Sequence, residues 1–167
     1  MPDRANSTAP VKGRLGQVAA LFSKFVRLPL AEKLLLPLGW LLLAFSSIAV
    51  ALLPFRTIAP VLGKPAGKDH GPAPLDPAHS RRAQWIRSAV NRAARLMPLR
   101  SDCLPQALSA SLLCRLLRLP SSAHIGVKPQ PGEDGTMAHA WVLVGDFWVS
   151  GGLSIPEYQM LTSFRRP

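Results

Sequence analysis

From residue 79 onward the hydrophobic pattern changes its period once, and this change predicts the fold class. Apolar side chains recur at helical spacing over residues 80–97 and again over 103–117. The second segment is apolar almost all round, as expected of a buried central helix. After residue 122 the spacing becomes that of strands, predicted over 123–128, 137–144 and 147–150. Helices followed by antiparallel strands predict an α+β fold, with helices packed on a small antiparallel sheet.

Amino-acid composition divides the N-terminal half of the chain into three segments. Residues 1–33 form a basic arm that we expect to be partly disordered, with an amphipathic helical pattern over 15–30. Residues 34–56 form an apolar helix. Residues 57–78 are rich in proline and glycine and predict a linker before a domain over 79–167.

The apolar segment from Leu34 to Phe55 carries no charged side chain and supports two interpretations. It is long enough to span a bilayer, which needs about 20 apolar residues, although Pro37 and Gly39 interrupt its start. It is equally suited to a helix buried in the core. Residues 49–51 resemble a signal-peptide cleavage site, but the basic region before them is too long. Because positive charges stand on both sides, they give no orientation across a membrane.

Composition excludes several classes of protein. The net charge is +11, but the basic residues are spread along the arm and along one predicted helix. Without zinc-finger spacing or a long basic run, we expect no binding to nucleic acid and only general attraction to anionic surfaces. Two cysteines and nine acidic residues exclude a disulfide scaffold and a four-cysteine zinc site. We expect neither a metal nor a cofactor.

Two residues with complementary chemistry stand where a cysteine hydrolase needs them. Cys103 begins the second predicted helix, whose N-terminal partial charge favours the nucleophilic thiolate. Cys114 lies in the apolar middle of the same helix and is expected to be inert. His139 stands in a strand between two alanines, which let another element approach, whereas His124 is expected to face solvent. Either residue alone is more often structural, but the pair predicts a nucleophile and its general base.

Five segments of the chain carry a family resemblance. They are LPFR at 53–56, SDCLPQAL at 101–108, AHIGVK at 123–128, AHAWV at 138–142 and VSGG at 149–152. Over residues 34–161 the chain resembles the transglutaminase-like B protein of lasso-peptide biosynthesis. The resemblance implies a papain-like cysteine leader peptidase, with Cys103 as nucleophile and His139 as general base.

The resemblance also implies partners. Such enzymes remove the leader of a ribosomally made lasso precursor peptide, so that a separate ATP-using cyclase can close the ring. Nothing in residues 1–80 has the pattern of a β-rich leader-recognition module, so the chain resembles the split, peptidase-only form with a separate recognition protein. We expect the site on the cytoplasmic side, in a membrane-associated or single-pass protein. The alternative is a catalytically silent subunit that binds peptide or scaffolds the maturation complex.

The third member of the catalytic set is left open. The family's triad usually ends in an aspartate on the strand after the histidine, and Asp146 is the acid nearby. A two-residue turn would pair His139 with Gly152, which places Asp146 about seven residues, or roughly 20 Å, along the strand. Asp146 is therefore disfavoured. Ser150, a backbone carbonyl or a residue from elsewhere orients the imidazole, or a dyad suffices.

Overall fold

The computed structural model describes residues 30–67, 74–98, 102–129, 136–152 and 158–167. The helices are α1 (Leu30–Leu52), α2 (Phe55–Leu62), α3 (Pro77–Leu96) and α4 (Cys103–Leu116). The strands are β1 (Lys64–Pro65), β2 (Ser121–Pro129), β3 (Thr136–Val144), β4 (Phe147–Ser150) and β5 (Gln159–Arg166). The predicted α+β fold is confirmed, and the proposed amphipathic segment before residue 30 lies outside the described residues.

The apolar helix α1 divides its two faces between core and surface. Leu35 and Leu43 are buried, and the helix packs on α3 and α4. Gly39 permits the close approach to α3, because a Cβ there would lie 3.4 Å from the Cβ of Ala89. The opposite face exposes a row of large apolar side chains at helical spacing, named here the outer stripe. The outer stripe consists of Leu30, Leu34, Leu41, Phe45, Ile48 and Leu52.

The two interpretations of the apolar segment each describe one face of α1. The part of α1 from Lys33 to Leu52 is long and apolar enough to cross a membrane, with a mean hydropathy of 2.2. The buried face nevertheless belongs to the domain core. One face of α1 thus packs against the domain, and its other face exposes apolar side chains.

The predicted linker over 57–78 is wrong for residues 57–62, which belong to helix α2. Pro54 stands just before α2, and the helix continues through Pro60 to Leu62. Proline fixes the backbone angle that a first helical turn needs, so Pro54 starts α2 rather than preventing it. Ile58 and Leu62 then bury the inner face of α2. At the far end, the Asp76 carboxylate caps α3 by accepting 2.8 Å from the N–H of Ala78.

The described strands form one antiparallel sheet in the order β1-β5-β2-β3-β4. The three predicted strands are present, and β1 and β5 extend the sheet beyond them. Val144 pairs with Phe147 across the turn, but a bulge then skips one residue, so that Val142 pairs with Ser150. Because a bulge adds a residue to one strand, the expected pairing of His139 with Gly152 is wrong.

Candidate active site

Cys103 is the first residue of α4 and lies against β3. Its Sγ is 3.8 Å from the carbonyl oxygen of Ala138, which belongs to the peptide bond that joins Ala138 to His139. The first intrahelical hydrogen bond runs from the N–H of Gln106 to the carbonyl of Asp102, at 3.3 Å. The amide of Cys103 precedes that bond and therefore points out of the helix end. The carboxylate of Asp102 makes no capping hydrogen bond. The structure thus brings a partly exposed thiol and an amide donor to the strand that carries His139.

Cys114, on the same helix, has the opposite surroundings. Its side chain is fully buried in the core. Burial raises the pKa of the Cys114 thiol to about 12, against a smaller opposing effect of the hydroxyl of Ser121. Because the thiolate is the reactive form, Cys114 is a packing residue and Cys103 is the accessible thiol.

The imidazole of His139 is held by a backbone carbonyl. Its Nε2 lies 2.8 Å from the carbonyl oxygen of Gly151. Because a carbonyl only accepts hydrogen bonds, Nε2 must carry the hydrogen in this contact. In the neutral ring the other nitrogen, Nδ1, is then unprotonated and can accept a proton. The contact therefore selects the tautomer that a general base requires.

Two aromatic rings pack on His139. Its ring centroid is 5.9 Å from that of Trp141 and 4.9 Å from that of Tyr158. The indole of Trp141 also covers Gly126, the strand partner of His139, where a Cβ would lie 2.9 Å from the indole. Gly126 therefore makes room for the tryptophan that packs beside the imidazole.

Gly151 can present its carbonyl because it is glycine. Its φ angle is +73°, and a Cβ at this position would lie 2.5 Å from the carbonyl oxygen of Ala140. A larger residue would meet both a strained backbone and a collision with β3. Sequence reasoning left a backbone carbonyl open as the orienting group but did not identify Gly151, because the bulge in β4 was not foreseen.

The other two candidates for orienting His139 have different surroundings. Ser150 is buried on β4, and its hydroxyl has no hydrogen-bond partner among the described residues. Asp146 lies in the turn between β3 and β4, where its carboxylate accepts 3.0 Å from the N–H of Leu75. Neither side chain forms a hydrogen bond with the imidazole of His139.

His124 is buried, so the expectation that it faces solvent is wrong. It stacks on Trp141, with ring centroids 5.7 Å apart, and its Nε2 lies 3.0 Å from the hydroxyl of Ser122. Burial, followed by the positive charge of Arg165, lowers the pKa of His124. Strand β5 pairs with β2 and places Ser163 opposite His124, and sequence reasoning had not foreseen that strand.

A cavity of about 230 Å³ opens beside His139. Side chains of α3, α4 and β4 form its walls together with the imidazole. They are Arg87, Asn91, Gln106, Trp148 and Val149, with the segment from Ser150 to Gly152. The cavity therefore lies directly beside the imidazole of His139.

Comparison with known proteins identifies the family. The model of the transglutaminase-like superfamily matches residues 49–163, which is more than half of the chain and includes both Cys103 and His139. No curated protein and no solved structure gives a match. The chain therefore belongs to the transglutaminase-like superfamily, which includes cysteine peptidases.

Proposed function

We propose that this member of the transglutaminase-like superfamily is a cysteine peptidase that removes the leader from a lasso precursor peptide. The observation that carries the proposal is the arrangement of Cys103 and His139. The thiol contacts the carbonyl immediately before His139, while Gly151 holds Nε2 and leaves Nδ1 as the proton acceptor. Acyl transfer requires a nucleophile and a base that takes its proton, and these two residues stand on adjoining elements, α4 and β3.

In the first step Nδ1 of His139 takes the proton of the Cys103 thiol. The sulfur attacks the carbonyl carbon of the scissile peptide bond, and the carbonyl oxygen becomes an oxyanion. The amide of Cys103, at the positive end of α4, donates a hydrogen bond to that charge. When the tetrahedral intermediate collapses, the C–N bond breaks and the imidazolium returns its proton to the leaving amine.

In the second step the acyl group is a thioester on Cys103. His139 now takes a proton from water, whose oxygen attacks the thioester carbon. The C–S bond breaks, a carboxylic acid is released, and the thiol recovers its proton from His139. Sulfur, imidazole and water account for every proton in this cycle, so it requires no further reactant.

The family resemblance of the motifs supports the choice of substrate. The segments SDCLPQAL and AHAWV carry the nucleophile and the base and match the B protein of lasso-peptide biosynthesis. The partners that follow are the precursor peptide, a separate leader-recognition protein and an ATP-using cyclase. Their chemistry takes place in the cytosol, so the cavity beside His139 faces the cytoplasm.

One observation favours the alternative of a catalytically silent subunit. The partner of His139 is a neutral carbonyl, where the family's triad has a carboxylate. A carbonyl fixes the tautomer but stabilises the imidazolium less than a negative charge would. A silent subunit would keep the peptide cavity and lose the turnover, which a cleavage assay detects directly.

We also propose that the outer stripe docks on an anionic lipid surface. The stripe exposes six large apolar side chains on one face of a 23-residue helix. In the sequence, basic residues stand on both sides of it, at Lys24, Arg27 and Arg56, and the net charge is +11. Because the other face of α1 carries Leu35 and Leu43 into the core, the helix lies along the surface and does not cross it.

The test of the enzymatic proposal is leader removal in a purified system. The protein, the leader-recognition protein and a lasso precursor are combined, and the fragments are identified by mass spectrometry. Cleavage by wild type and by Cys114→Ala, with loss of cleavage in Cys103→Ala and His139→Ala, is the expected result. Both losses should be comparable, because residues that act as one unit fail together. Equal cleavage by all four proteins would refute the assignment, and binding without cleavage by wild type would favour the silent subunit.

A further inference from the structure

The cavity beside His139 contains a positive charge that the described residues do not neutralise. Arg87 lines the cavity and belongs to no ion pair among those residues. Its guanidinium carbon lies 5.5 Å from the ring centroid of Phe147, which supports the side chain from one face. This contact leaves the N–H groups at the edge of the guanidinium available to donate hydrogen bonds to a ligand's oxygen atoms.

The other polar groups of the cavity are compatible with the same ligand. Asn91 follows Arg87 by one turn of α3 and lines the cavity with an amide group, and Gln106 of α4 also lines it. Ser150 lines the cavity, and its buried hydroxyl has no partner among the described residues. Among the described residues that line this cavity, none is acidic. This part of the lining therefore combines hydrogen-bond donors with one cation.

We infer that this cavity binds an acidic side chain of the peptide substrate, aspartate or glutamate, next to the bond that is cut. The inference rests on the proposed peptidase function for the position of the peptide. A carboxylate matches the planar fork of a guanidinium, and its two oxygens accept from several donors at once. A volume of about 230 Å³ accommodates a side chain of this size.

His139 forms part of the cavity wall, which on the proposed function places this residue near the scissile bond. The imidazole must reach the leaving amine, so a side chain in the cavity belongs to a residue close to the scissile bond. A glutamine in place of glutamate has the same shape but lacks the charge. The cavity should therefore discriminate between these two residues, whereas a cavity that recognises shape alone would not.

A binding experiment tests the inference independently of catalysis. N-acetyl-glutamate amide and N-acetyl-glutamine amide are titrated into the protein, and binding is followed by the indole N–H resonance of Trp148 in the cavity wall. That resonance is assigned among the four tryptophans of the chain with Trp148→Phe. We expect the glutamate compound to bind at least about tenfold more tightly, as charge-assisted hydrogen bonds predict.

Two variants distinguish binding in the cavity from attraction to the overall positive charge of the protein. Arg87→Gln should remove the preference for the glutamate compound. Arg81→Gln, which removes the same charge from an exposed position of α3 outside the cavity, should keep it. Equal affinity for the two compounds in wild type, or equal loss in both variants, would overturn the inference. A preference that persists in a protein unable to cleave peptides would refute the proposed function and leave the binding site intact.

Discussion

The carboxylate of Asp146 accepts a hydrogen bond of 3.0 Å from the N–H of Leu75, which ties the turn between β3 and β4 to the segment that enters α3. Five residues of β3 separate this turn from His139, a distance of roughly 20 Å in an extended strand. The contact gives the aspartate a structural role away from the imidazole.

This contact predicts different effects for two substitutions of Asp146. Asp146→Asn keeps a side-chain oxygen as acceptor, so leader cleavage and stability should stay near wild type. Asp146→Ala should lower the free energy of unfolding by about 1 kcal/mol and leave the cleavage rate per folded molecule unchanged. Urea unfolding and cleavage by the same samples measure both. Cleavage reduced by Asp146→Asn as much as by His139→Ala would make Asp146 the orienting residue instead.

The contact between Gly151 and His139 is tested by a pair of glycine substitutions. Gly151 and Gly67 both have positive φ angles, +73° and +74°, but nothing lies within 4 Å of a Cβ at Gly67. Gly67→Ala should therefore cost about 1 kcal/mol of stability from backbone strain alone and leave cleavage intact. Gly151→Ala should cost more and also lower the cleavage rate, because the displaced carbonyl no longer holds Nε2. Equal effects on cleavage in the two variants would contradict the proposed role of Gly151.

The two cysteines should react differently with a small alkylating reagent. In the folded protein iodoacetamide should modify Cys103, whereas Cys114 should react only after denaturation. The physical reason is that Cys114 is fully buried and its pKa is raised to about 12. His139→Ala should slow the alkylation of Cys103 at neutral pH, because the proton acceptor for the thiol is removed. Peptide mapping by mass spectrometry gives both rates. An unchanged rate in His139→Ala would show that the imidazole does not accept the proton of the Cys103 thiol.

His124 should make the fold less stable in mild acid. Its pKa is lowered in the folded state by burial and by Arg165, while the unfolded chain keeps the ordinary value of about 6.5. Below that pH the unfolded state binds the additional proton, so stability falls as the pH falls and is regained above it. His124→Phe keeps a ring against Trp141 and should show a smaller drop in melting temperature between neutral pH and pH 5. The same drop in both proteins would assign the acid sensitivity to another group.

Binding to lipid should depend on the outer stripe. The full chain should sediment with vesicles that contain anionic lipid, and Leu41→Glu with Phe45→Glu should abolish this, because both positions are more than half exposed (60% and 67%). Leu116→Glu with Leu161→Glu adds the same charge at exposed positions outside the stripe and should retain binding. If the wild-type protein stays monodisperse and does not sediment with vesicles, the outer stripe does not dock on lipid.

Local patterns predicted the parts of the fold that short segments determine. The bounds of β4, the start of α4 at Cys103 and the turn at Gly145 follow from periodicity and turn residues, and each is present in the structure. Helix α2 was missed because Pro54 and Pro60 indicate a loop in a sequence, although proline at a helix start is compatible with helical geometry.

The parts that depend on distant segments could not be predicted. Strand β5 pairs with β2 across some forty residues of chain. Three of its eight positions are exposed and three are partly buried, so the strand has no regular hydrophobic pattern. The bulge in β4 adds one residue opposite β3, and no hydrophobic pattern specifies such an insertion. Gly151 follows the last residue of β4, just past that bulge, so the sequence could nominate Cys103 and His139 as candidates but could not name the group that contacts the imidazole.

The backbone of Gly151 has a consequence for how this protein can change over generations. Every single-base change in a glycine codon that alters the amino acid introduces a side chain, and each of these would place a Cβ 2.5 Å from the carbonyl oxygen of Ala140. No amino acid that a single base change introduces at position 151 is therefore neutral for the contact with His139. A carboxylate can be exchanged for another acid during drift, but an orienting group supplied by a glycine carbonyl is retained or lost as a whole.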